Sequence, residues 1–502
     1  MEEWYFRRCR RGDVNTRDKK RRCQGMFPEA GVIYDDSASR FFQTHVLDKK
    51  RRQEPVVRPP TWKHIPETEF GIQEFVPLSQ IAPEPLDESK EPAIFLDWQQ
   101  IPPAKIQSYL PNGFPEPPAA ETLQINTTNG AIPPFVQKRH KCLAQIRQLQ
   151  RERFQSVAPS NEIKQFVLYL DPAYHKNVGD GLLTLGTLST LLRQGVSDIQ
   201  QCHYHQALNR VAPCEEVILN ATHKGSSKLA VWHPGGNWGD LWVNVQQKRI
   251  QSFSALLENG YSIFGFPQSL FYFNETRGKL EAQLLKESIA KGLQVNLDME
   301  HGLELAKSRV VLSWREMKSC QIADKLYPFV TNVLMPDAAF QLGPFNLTNL
   351  VPDTLKVDIV LFMRNDKESL IREFRNETII AEIFRNSSRG DRQIDFAIVD
   401  WVDRNMFNPK VKPDHVTEEA IYLVSMAKVI VADRLHATIL SYLAGVPVIY
   451  IDQISGKISN TLEFFTSLEA CRDTEAAKLI KASNFTHALE LATRVLEEEE
   501  SD

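Results

Sequence analysis

An arginine and a histidine stand two residues apart near the carboxyl end of the chain, where an apolar run gives way to a helical pattern. The run at residues 429–432 is typical of a buried strand, Arg434 and His436 follow it, and Gly445 ends the predicted helix. A fixed cation beside a titratable ring at a helix N-terminus is suited to an anionic reactant. Spacing alone leaves a structural alternative open, in which the arginine caps a carbonyl group and the histidine packs at the helix start.

Two turns with glycine and polar residues also follow apolar runs. The first comes after residues 166–170 and enters a helix predicted over 182–193, and the second comes after residues 229–232. Free N–H groups and the helix dipole make such turns suitable for anions, and glycine lets a ligand come close, although many such turns serve only packing. The candidate binding residues in these two turns are Asn177, Gly179, Asp180, His233, Gly235, Gly236, Asn237 and Asp240.

The second turn is also rich in tryptophan. Trp232, Trp238 and Trp242 offer flat faces of the kind that stack on sugar rings. The alternative is that they belong to the hydrophobic core, which we expect for at least one of them.

Polar residues follow the other predicted strands in the same way. The strands at 261–266, 309–312 and 333–335 precede Gln268 with Ser269, Arg315 and Asp337, respectively. A second set of strands lies at 357–363, 396–401 and 446–451. Arg364 follows the first of these and Lys457 the last.

Strands that alternate with helical stretches indicate a parallel sheet, and ligands bind outside the carboxyl ends of such strands. We therefore predict an α/β fold with two Rossmann-like, doubly wound domains facing across a cleft. The predicted divisions are a basic tail and Pro-rich, poorly ordered stem (1–135), a helical lead-in (136–160), an N-terminal domain (161–348), a C-terminal domain (355–496) and an acidic tail (497–502).

Composition excludes several classes of function. The 502 residues carry a net charge of −4, which gives no argument for a nucleic-acid partner, and no run of 18 apolar residues predicts a membrane span. Neither a G-x-G-x-x-G nor a Walker loop is present, so no standard nucleotide fingerprint supports an oxidoreductase or a nucleotide triphosphatase. The seven cysteines include no C-x-x-C pair. Their spacing therefore predicts neither a metal site nor a disulfide framework, although Cys202 and Cys214 could pair.

The compartment is left open by two opposing signals. Seven N-x-S/T sequons, a mild excess, favour the Golgi or another secretory lumen. The start of the chain lacks an apolar segment that would read as a signal peptide or an anchor, which favours the cytoplasm.

Taken in order, these motifs resemble the polysaccharide pyruvyltransferase family over about residues 165–470. The residues that carry the resemblance are Asn177-x-Gly179-Asp180, Gly235-Gly236-Asn237-x-Gly239-Asp240, Pro267-Gln268-Ser269, Arg315-Glu316, Asp337 with Phe340, Arg434-Leu435-His436 and Lys457. The resemblance implies a fold like that of two-domain GT-B glycosyltransferases. It also implies transfer of the enolpyruvyl unit of phosphoenolpyruvate to a sugar, with a galactose-containing glycan as the expected acceptor and a cyclic pyruvate ketal as product.

The resemblance implies roles for the candidate residues. Arg315 and Arg434 would clamp the donor, with Lys457 and Arg364 as further cations, because an arginine fork matches carboxylate and phosphate groups. His436 would be the general acid, with His233 as the second choice for acid/base work or for binding the acceptor.

The other expected roles concern the acceptor and the cofactor. Asp180 and Asp240 would orient or deprotonate sugar hydroxyls, unless each caps the helix that follows it. We expect no metal and no cofactor, with phosphoenolpyruvate as co-substrate. The alternatives are a GT-B glycosyltransferase that uses a nucleotide sugar and a carbohydrate-binding protein without catalysis.

Overall fold

The computed structural model describes the chain from the helix that begins at Pro134, with several gaps. The described residues are 134–157, 166–175, 177–196, 198–204, 214, 217–218, 228–241, 243–345, 356–366, 368–387, 393–401, 413–472 and 478–501. The predicted basic tail and Pro-rich stem, and most of the predicted linker between the domains, lie outside them.

The strands form two parallel sheets. The first sheet contains β1 (Val167–Leu170), β2 (Ile199–Cys202), β3 (Lys228–Trp232), β4 (Gly235–Gly239), β5 (Tyr261–Phe271), β6 (Val310–Trp314) and β7 (Thr331–Leu334). The second contains β8 (Val357–Phe362), β9 (Phe396–Val399), β10 (Ala427–Ala432), β11 (Val448–Tyr450) and β12 (Leu479–Lys481).

The two sheets share one strand order. The first runs β2-β1-β3-β5-β6-β7, with β4 paired to the far end of β5, and the second runs β9-β8-β10-β11-β12. Apart from β4, each sheet starts with its second strand, then its first, then its third. Chain direction across the sheet therefore reverses between β1 and β3 and between β8 and β10, and a crevice at the carboxyl ends of the strands is expected at each reversal.

Helices connect the strands. They are α1 (Pro134–Val157), α2 (Val178–Arg193), α3 (Val243–Glu258), α4 (Glu275–Leu293), α5 (Glu300–Arg309), α6 (Met317–Leu326), α7 (Glu377–Ser387), α8 (Pro413–Ser425), α9 (Leu435–Ala444), α10 (Lys457–Ser467) and α11 (Phe485–Ser501). The helix predicted after Arg434 ends as expected, because Gly445 adopts the left-handed conformation that glycine tolerates best. The last helix continues to Ser501, through most of the predicted acidic tail.

One hydrophobic cluster contains side chains from helices that follow strands of the first sheet and from helices that follow strands of the second. Val178 and Leu182 of α2 pack in the same cluster as Leu440 and Leu443 of α9 and Phe465 of α10. Separate clusters fill the space between each sheet and its own helices. The turns that begin α2 and α9 are therefore held in a fixed relation to one another.

Two sequence predictions about local structure are wrong. The third strand was predicted to stop at residue 266, but β5 continues to Phe271 because β4 supplies a further parallel partner along Gln268–Phe271. The glycine turn at 177–181 is helical instead, because the side chain of Asn177 accepts the N–H of Gly179 and caps α2 at its first residue.

Two disulfides are present among the described cysteines. Cys202 pairs with Cys214, as the sequence allowed, and Cys142 of α1 pairs with Cys471, 329 residues away. The sequence did not indicate the second pair, because a long-range contact leaves no spacing signal. It fastens the lead-in helix to the part of the chain that carries the second sheet.

The α/β class and the parallel sheets are confirmed. Strands β1–β7 lie within residues 161–348 and β8–β12 within 355–496. The domain boundaries themselves, and the arrangement as two domains across a cleft, stay predictions. None of the described helices is long and apolar enough to cross a membrane.

Candidate active site

A cavity of about 110 Å³ lies where loops from the two sheets meet. Ten of the predicted site residues line it: Asn177, Gly179, Asp180, Gly236, Asn237, Arg315, Arg364, Arg434, His436 and Lys457. Eleven of its fifteen lining residues belong to the segments that directly follow β1, β3, β8 and β10, which are the four strands at the two reversals of chain direction. The strand-order rule therefore accounts for the position of the cavity.

Three charged side chains meet at the junction of the two sheets. The Nη1 atom of Arg315 donates to Asp337 Oδ2 at 2.7 Å, and His436 Nε2 lies 3.4 Å from the same oxygen and 3.5 Å from Arg315 Nη1. Burial alone would raise the pKa of Asp337. The charges of His436 and Arg315, with the N–H of Ala339, outweigh it and hold that pKa well below its ordinary value. Asp337 is thus a carboxylate that orients both Arg315 and the ring of His436.

Arg315 is fixed from its other side as well. Its Nε donates to Ser269 Oγ at 2.8 Å, and Ser269 donates in turn to the buried carboxyl of Glu316. Ser319 donates to the second oxygen of Glu316 at 2.8 Å. Burial raises the pKa of Glu316, and Arg315 and the two hydroxyls partly offset this. Ser269 does not line the cavity, but it positions a residue that does.

Arg434 belongs to the opposite side of the cavity. It follows β10 at the start of α9, and its Nη2 donates to the carboxylate of Asp400, just beyond β9. Its Nε is buried and has no hydrogen-bond partner among the described residues. Because Nε makes no hydrogen bond, Arg434 can donate from it to an oxyanion without first breaking the bond to Asp400.

The remaining cations form a compact ion-pair network. Arg364 contacts Asp366 at 2.8 Å and Glu368 at 3.0 Å, and Lys457 Nζ lies 2.5 Å from Glu368. Burial lowers the pKa of Lys457, while the carboxylate of Glu368 opposes that change. Both cations are held in place by carboxylates before any ligand binds.

Two glycines allow side chains from other elements to lie close to the backbone at the cavity. A Cβ at Gly179 would lie 2.4 Å from His436 Nδ1, so the imidazole rests directly on the first turn of α2. A Cβ at Gly236 would lie 2.9 Å from Lys457 Nζ and 3.2 Å from an Nη atom of Arg315. Glycine is needed at both positions because side chains from elsewhere in the chain occupy the space a Cβ would take.

Of the two candidate aspartates, only Asp180 lines the cavity. The carboxylate of Asp240 accepts the N–H groups of Phe273 and Asn274 and so fastens the end of β5. Asp180 lies within α2 and is not its N-cap, since Asn177 takes that role.

Four other candidates also lie outside the cavity wall: His233, Gly235, Gln268 and Ser269. His233 is buried, and its Nδ1 shares a hydrogen bond of 2.7 Å with the hydroxyl of Tyr169. Burial lowers the pKa of His233 to about 3. Gln268 donates to the carbonyl of His233 and accepts from Arg249. The expectation that His233 could act as the acid is therefore not supported by its surroundings, because the ring is kept neutral inside the first domain's core.

The two tryptophans of the second turn that the structure describes do not offer a sugar platform. Trp232 and Trp238 are almost fully buried, with 0% and 1% of their surface exposed. Trp238 donates to the hydroxyl of Tyr327 at 3.0 Å. Both are core residues, and Trp242 lies outside the described residues.

Sequence reasoning missed several residues of the wall. These are Asp366, Glu368, Trp401, Leu435 and Gln453. Trp401 Nε1 and Gln453 Oε1 are buried without a hydrogen-bond partner among the described residues. All five closely follow the carboxyl end of a strand, so the strand-end rule that found Arg364 could have found them too. Among the described residues, no group of three His, Cys, Asp or Glu side chains has the arrangement of a metal site.

The sequence of this chain matches a known protein family. A model of the family described as polysaccharide pyruvyl transferase matches residues 177–455, which is more than half of the chain and includes both sides of the cavity. The chain belongs to the polysaccharide pyruvyl transferase family. The family predicted from the ordered motifs is confirmed.

Individual relatives are distant. Pyruvyl transferase 1 of Schizosaccharomyces pombe is 27% identical over 246 residues, covering 46% of this chain and 52% of that protein. General stress protein 30 of Bacillus subtilis is 24% identical over 232 residues, covering 45% of this chain and 58% of that protein. The chain thus spans little more than half the length of these curated relatives.

A solved structure also matches over most of its length. It is an uncharacterized protein from Klebsiella pneumoniae, 16% identical, with a TM-score of 0.41 over 67% of this chain and 99% of that one.

Proposed function

We propose that this protein transfers the enolpyruvyl group of phosphoenolpyruvate to a sugar residue of a glycan, with galactose as the expected acceptor, and releases phosphate. The product is a pyruvate ketal on two sugar hydroxyls. The observation that carries the proposal is the convergence of Arg315, Arg434 and His436 on one small cavity, from loops that follow different sheets.

The charges of the cavity suit this donor. Phosphoenolpyruvate carries about three negative charges, from one phosphate and one carboxylate. The cavity wall presents four fixed cations, Arg315, Arg364, Arg434 and Lys457. A doubly anionic phosphate and a carboxylate can thus each contact an arginine fork while the donor bridges the two sides.

The carboxylates around these cations affect how the donor binds. Asp337, Asp366, Glu368 and Asp400 hold the cations in fixed positions in the unliganded protein. Little side-chain ordering is then required when the donor binds, which is the usual advantage of a preorganised site. The same carboxylates also compete with the donor, so its binding must come from groups with bonding capacity left, such as Arg434 Nε.

The proton balance of the reaction assigns the remaining roles. Two sugar hydroxyls lose their protons; one proton appears in the methyl group of the product and the other leaves with phosphate. His436 is our candidate for protonating the methylene carbon, because its ring lies beside Arg315 and is oriented by Asp337. Asp180 is our candidate for accepting the proton of the hydroxyl that adds to the neighbouring carbon.

Loss of phosphate completes the transfer. The bond between carbon and the phosphate oxygen breaks as the second hydroxyl takes its place, and negative charge develops on the departing group. Arg315, Arg434 and the N-terminus of α9 are placed to stabilise that charge.

The test is phosphate release from phosphoenolpyruvate against a panel of α- and β-galactosides and mannosides, with Arg434→Ala as the inactive control. The proposal predicts release only when donor and acceptor are both present. No release with any acceptor, together with thermal protection by a nucleoside diphosphate and none by phosphoenolpyruvate, would favour the nucleotide-sugar transferase instead.

We also propose that the protein acts in a secretory lumen such as the Golgi. Four sequon asparagines among the described residues, Asn274, Asn376, Asn386 and Asn484, are exposed, and two disulfides need an oxidising compartment. Expression in a secretory host should give a product whose mobility increases on treatment with peptide N-glycosidase. An unchanged mobility would contradict the proposal.

A further inference from the structure

The loop between β1 and α2 presents a histidine to the cavity-lining aspartate. This loop is tied down on both sides of His175. Before it, Asp171 accepts the N–H of Tyr204 at 2.8 Å and the N–H of Ala173 donates to Thr184 Oγ1 at 2.9 Å. After it, the side chain of Asn177 accepts the N–H of Gly179 at 3.1 Å. Thr184 in turn donates to the carbonyl of Asp180 at 3.0 Å. His175, within this loop, is therefore held in a fixed position relative to the first turn of α2.

The hydrogen bonds of His175 determine which ring nitrogen carries the proton. The backbone N–H of Asn177 donates to His175 Nδ1 at 3.3 Å, so Nδ1 must be the unprotonated nitrogen. The neutral ring then carries its proton on Nε2, which lies 3.5 Å from Asp180 Oδ2. Burial lowers the pKa of His175, which favours this neutral form.

Asp180 is not used as a helix cap. In a capping box the carboxylate at this position accepts the backbone N–H of the cap residue. Here that N–H binds His175, and Asp180 Oδ2 instead faces two side-chain donors, His175 Nε2 and Asn177 Nδ2 at 2.9 Å. Within the described part of the chain no hydrogen bond to the other oxygen, Oδ1, is found, and Asp180 lines the cavity.

We propose that His175 is a positioning residue that, with Asn177, holds Oδ2 of Asp180 and so presents Oδ1 to an acceptor sugar hydroxyl. The inference rests on the proposed transfer to a glycan and assigns the part of the cavity that takes the acceptor. A carboxylate oxygen repels the anionic donor but accepts a hydrogen bond from a neutral hydroxyl. Gly179, the neighbour of Asp180 in the chain, lies against His436, and Asp180 and His436 line the same cavity.

The step itself is a proton transfer coupled to addition. The hydroxyl oxygen forms a bond to the central carbon of the enolpyruvyl group, whose methylene carbon has taken a proton from His436. The hydroxyl proton passes to Asp180 Oδ1. His175 makes no bond to either substrate and acts only by fixing the carboxylate.

Two substitutions separate this role from simple packing. His175→Phe keeps the ring and removes both nitrogens, and His175→Gln keeps a side-chain donor of similar reach to Asp180. We expect His175→Phe to lower kcat for transfer about 10- to 100-fold. This loss is only part of the rate increase that a general base contributes, because Asp180 itself is still present. The Kd of phosphoenolpyruvate, measured by calorimetry, should stay within about twofold, and His175→Gln should recover most of the lost kcat.

A double-mutant cycle tests whether His175 acts through Asp180. In an Asp180→Asn background, His175→Phe should cost less than about twofold more, because the group it positions is already gone. Independent, multiplicative losses would overturn the inference, and so would wild-type kcat in His175→Phe. A shared drop of kcat and donor affinity that His175→Gln does not rescue would show a structural role only, which would also overturn it.

The tautomer can be measured without any turnover. Nitrogen-15 labelling of histidine, with assignment through His175→Gln, should show an unprotonated Nδ1 and a protonated Nε2 at neutral pH. The opposite tautomer would refute the arrangement. Absence of phosphate release in the wild-type protein, with the expected tautomer present, would refute the proposed function and leave the geometry standing.

Discussion

The contact between His436 and Gly179 is the tightest constraint on the proposed proton donor. The imidazole occupies the space in which any larger residue would place its Cβ, and it is oriented from its far side by Asp337. A catalytic group held in this way is sensitive to displacements of about 1 Å, which can cost about 100-fold in rate.

Gly179→Ala should therefore lower kcat/KM for transfer by about 100-fold, because the new methyl group displaces His436 from Asp337 and Arg315. Unfolding free energy should change by less than about 1 kcal/mol, since alanine favours a helix more than glycine does. Phosphate release and chemical denaturation measure the two quantities. Gly265→Ala, in the first sheet and away from the cavity, is the matched control and should keep its activity; a fully active Gly179→Ala would contradict the role of His436.

His233 gives a prediction about stability in place of catalysis. Burial lowers its pKa to about 3 in the folded protein, against an ordinary value of 6.5. The unfolded chain takes up a proton below pH 6.5 and the folded chain does not until about pH 3, so stability falls as the pH drops through this window. The full effect is up to about 5 kcal/mol, at about 1.4 kcal/mol per pH unit.

In His233→Gln, the free energy of unfolding should depend less steeply on pH between 5.5 and 4.5, by about 1 kcal/mol per pH unit. Urea denaturation across this range measures the slope. The same substitution at the exposed His301 should leave the slope of the wild type unchanged. Equal slopes in wild type and His233→Gln would mean that His233 is not buried in its neutral form.

Sequence reasoning found the residues that follow strands and carry positive charge. Arg364 and Arg434 were found in this way, but Asp366 and Glu368 were not, because a site for an anion was expected to consist of cations. The carboxylates are there because buried cations need partners when no ligand is bound. Trp401 and Gln453 were missed for a different reason, since neither residue type suggests chemistry by itself.

At the scale of elements, α1 connects parts of the chain that are far apart in sequence. Arg147 donates to the carbonyls of Phe340 at 3.2 Å and Leu342 at 2.9 Å, while Cys142 is bonded to Cys471. The helix thus packs against the end of the first sheet's segment and is covalently attached within the second sheet's segment, between β11 and β12. Its polar sequence predicted a helix but gave no sign of these partners.

Replacing both Cys142 and Cys471 by serine should lower the free energy of unfolding by about 5 kcal/mol, because the bond closes a very long loop. Guanidinium denaturation without reductant measures the change. The matched control is the serine pair at Cys202 and Cys214, which close a loop of only 12 residues and should matter less. Equal stability of the wild type with and without reductant would contradict the prediction.

Two elements escaped sequence prediction for local reasons. Strand β4 (Gly235–Gly239) contains three glycines and no β-branched residue, so only its pairing with β5 makes it a strand. The first turn of α2 contains two glycines and resembles a loop, and the cap at Asn177 decides its conformation. Both elements carry cavity residues, which is where local preference and the final structure are most expected to differ.

At the scale of the whole molecule, the two sheets begin with the same strand order. In each sheet, the two strands at which chain direction reverses end at the same cavity. Each sheet contributes cations that are already paired with its own carboxylates, and Arg315 and His436 meet across the junction. The central claim is that a single donor molecule contacts both sides at once, with Arg315 on one and Arg434 on the other.

Calorimetric binding of phosphoenolpyruvate to the wild type, Arg315→Lys and Arg434→Lys tests this claim most directly. Lysine keeps a positive charge beside Asp337 and Asp400 but loses the fork, so each variant should fold and should bind the donor at least about 10-fold more weakly. Arg309→Lys, whose side chain binds Tyr261 and Ser262, is the control and should bind like the wild type. Wild-type affinity in either cavity variant would contradict a donor held from both sides.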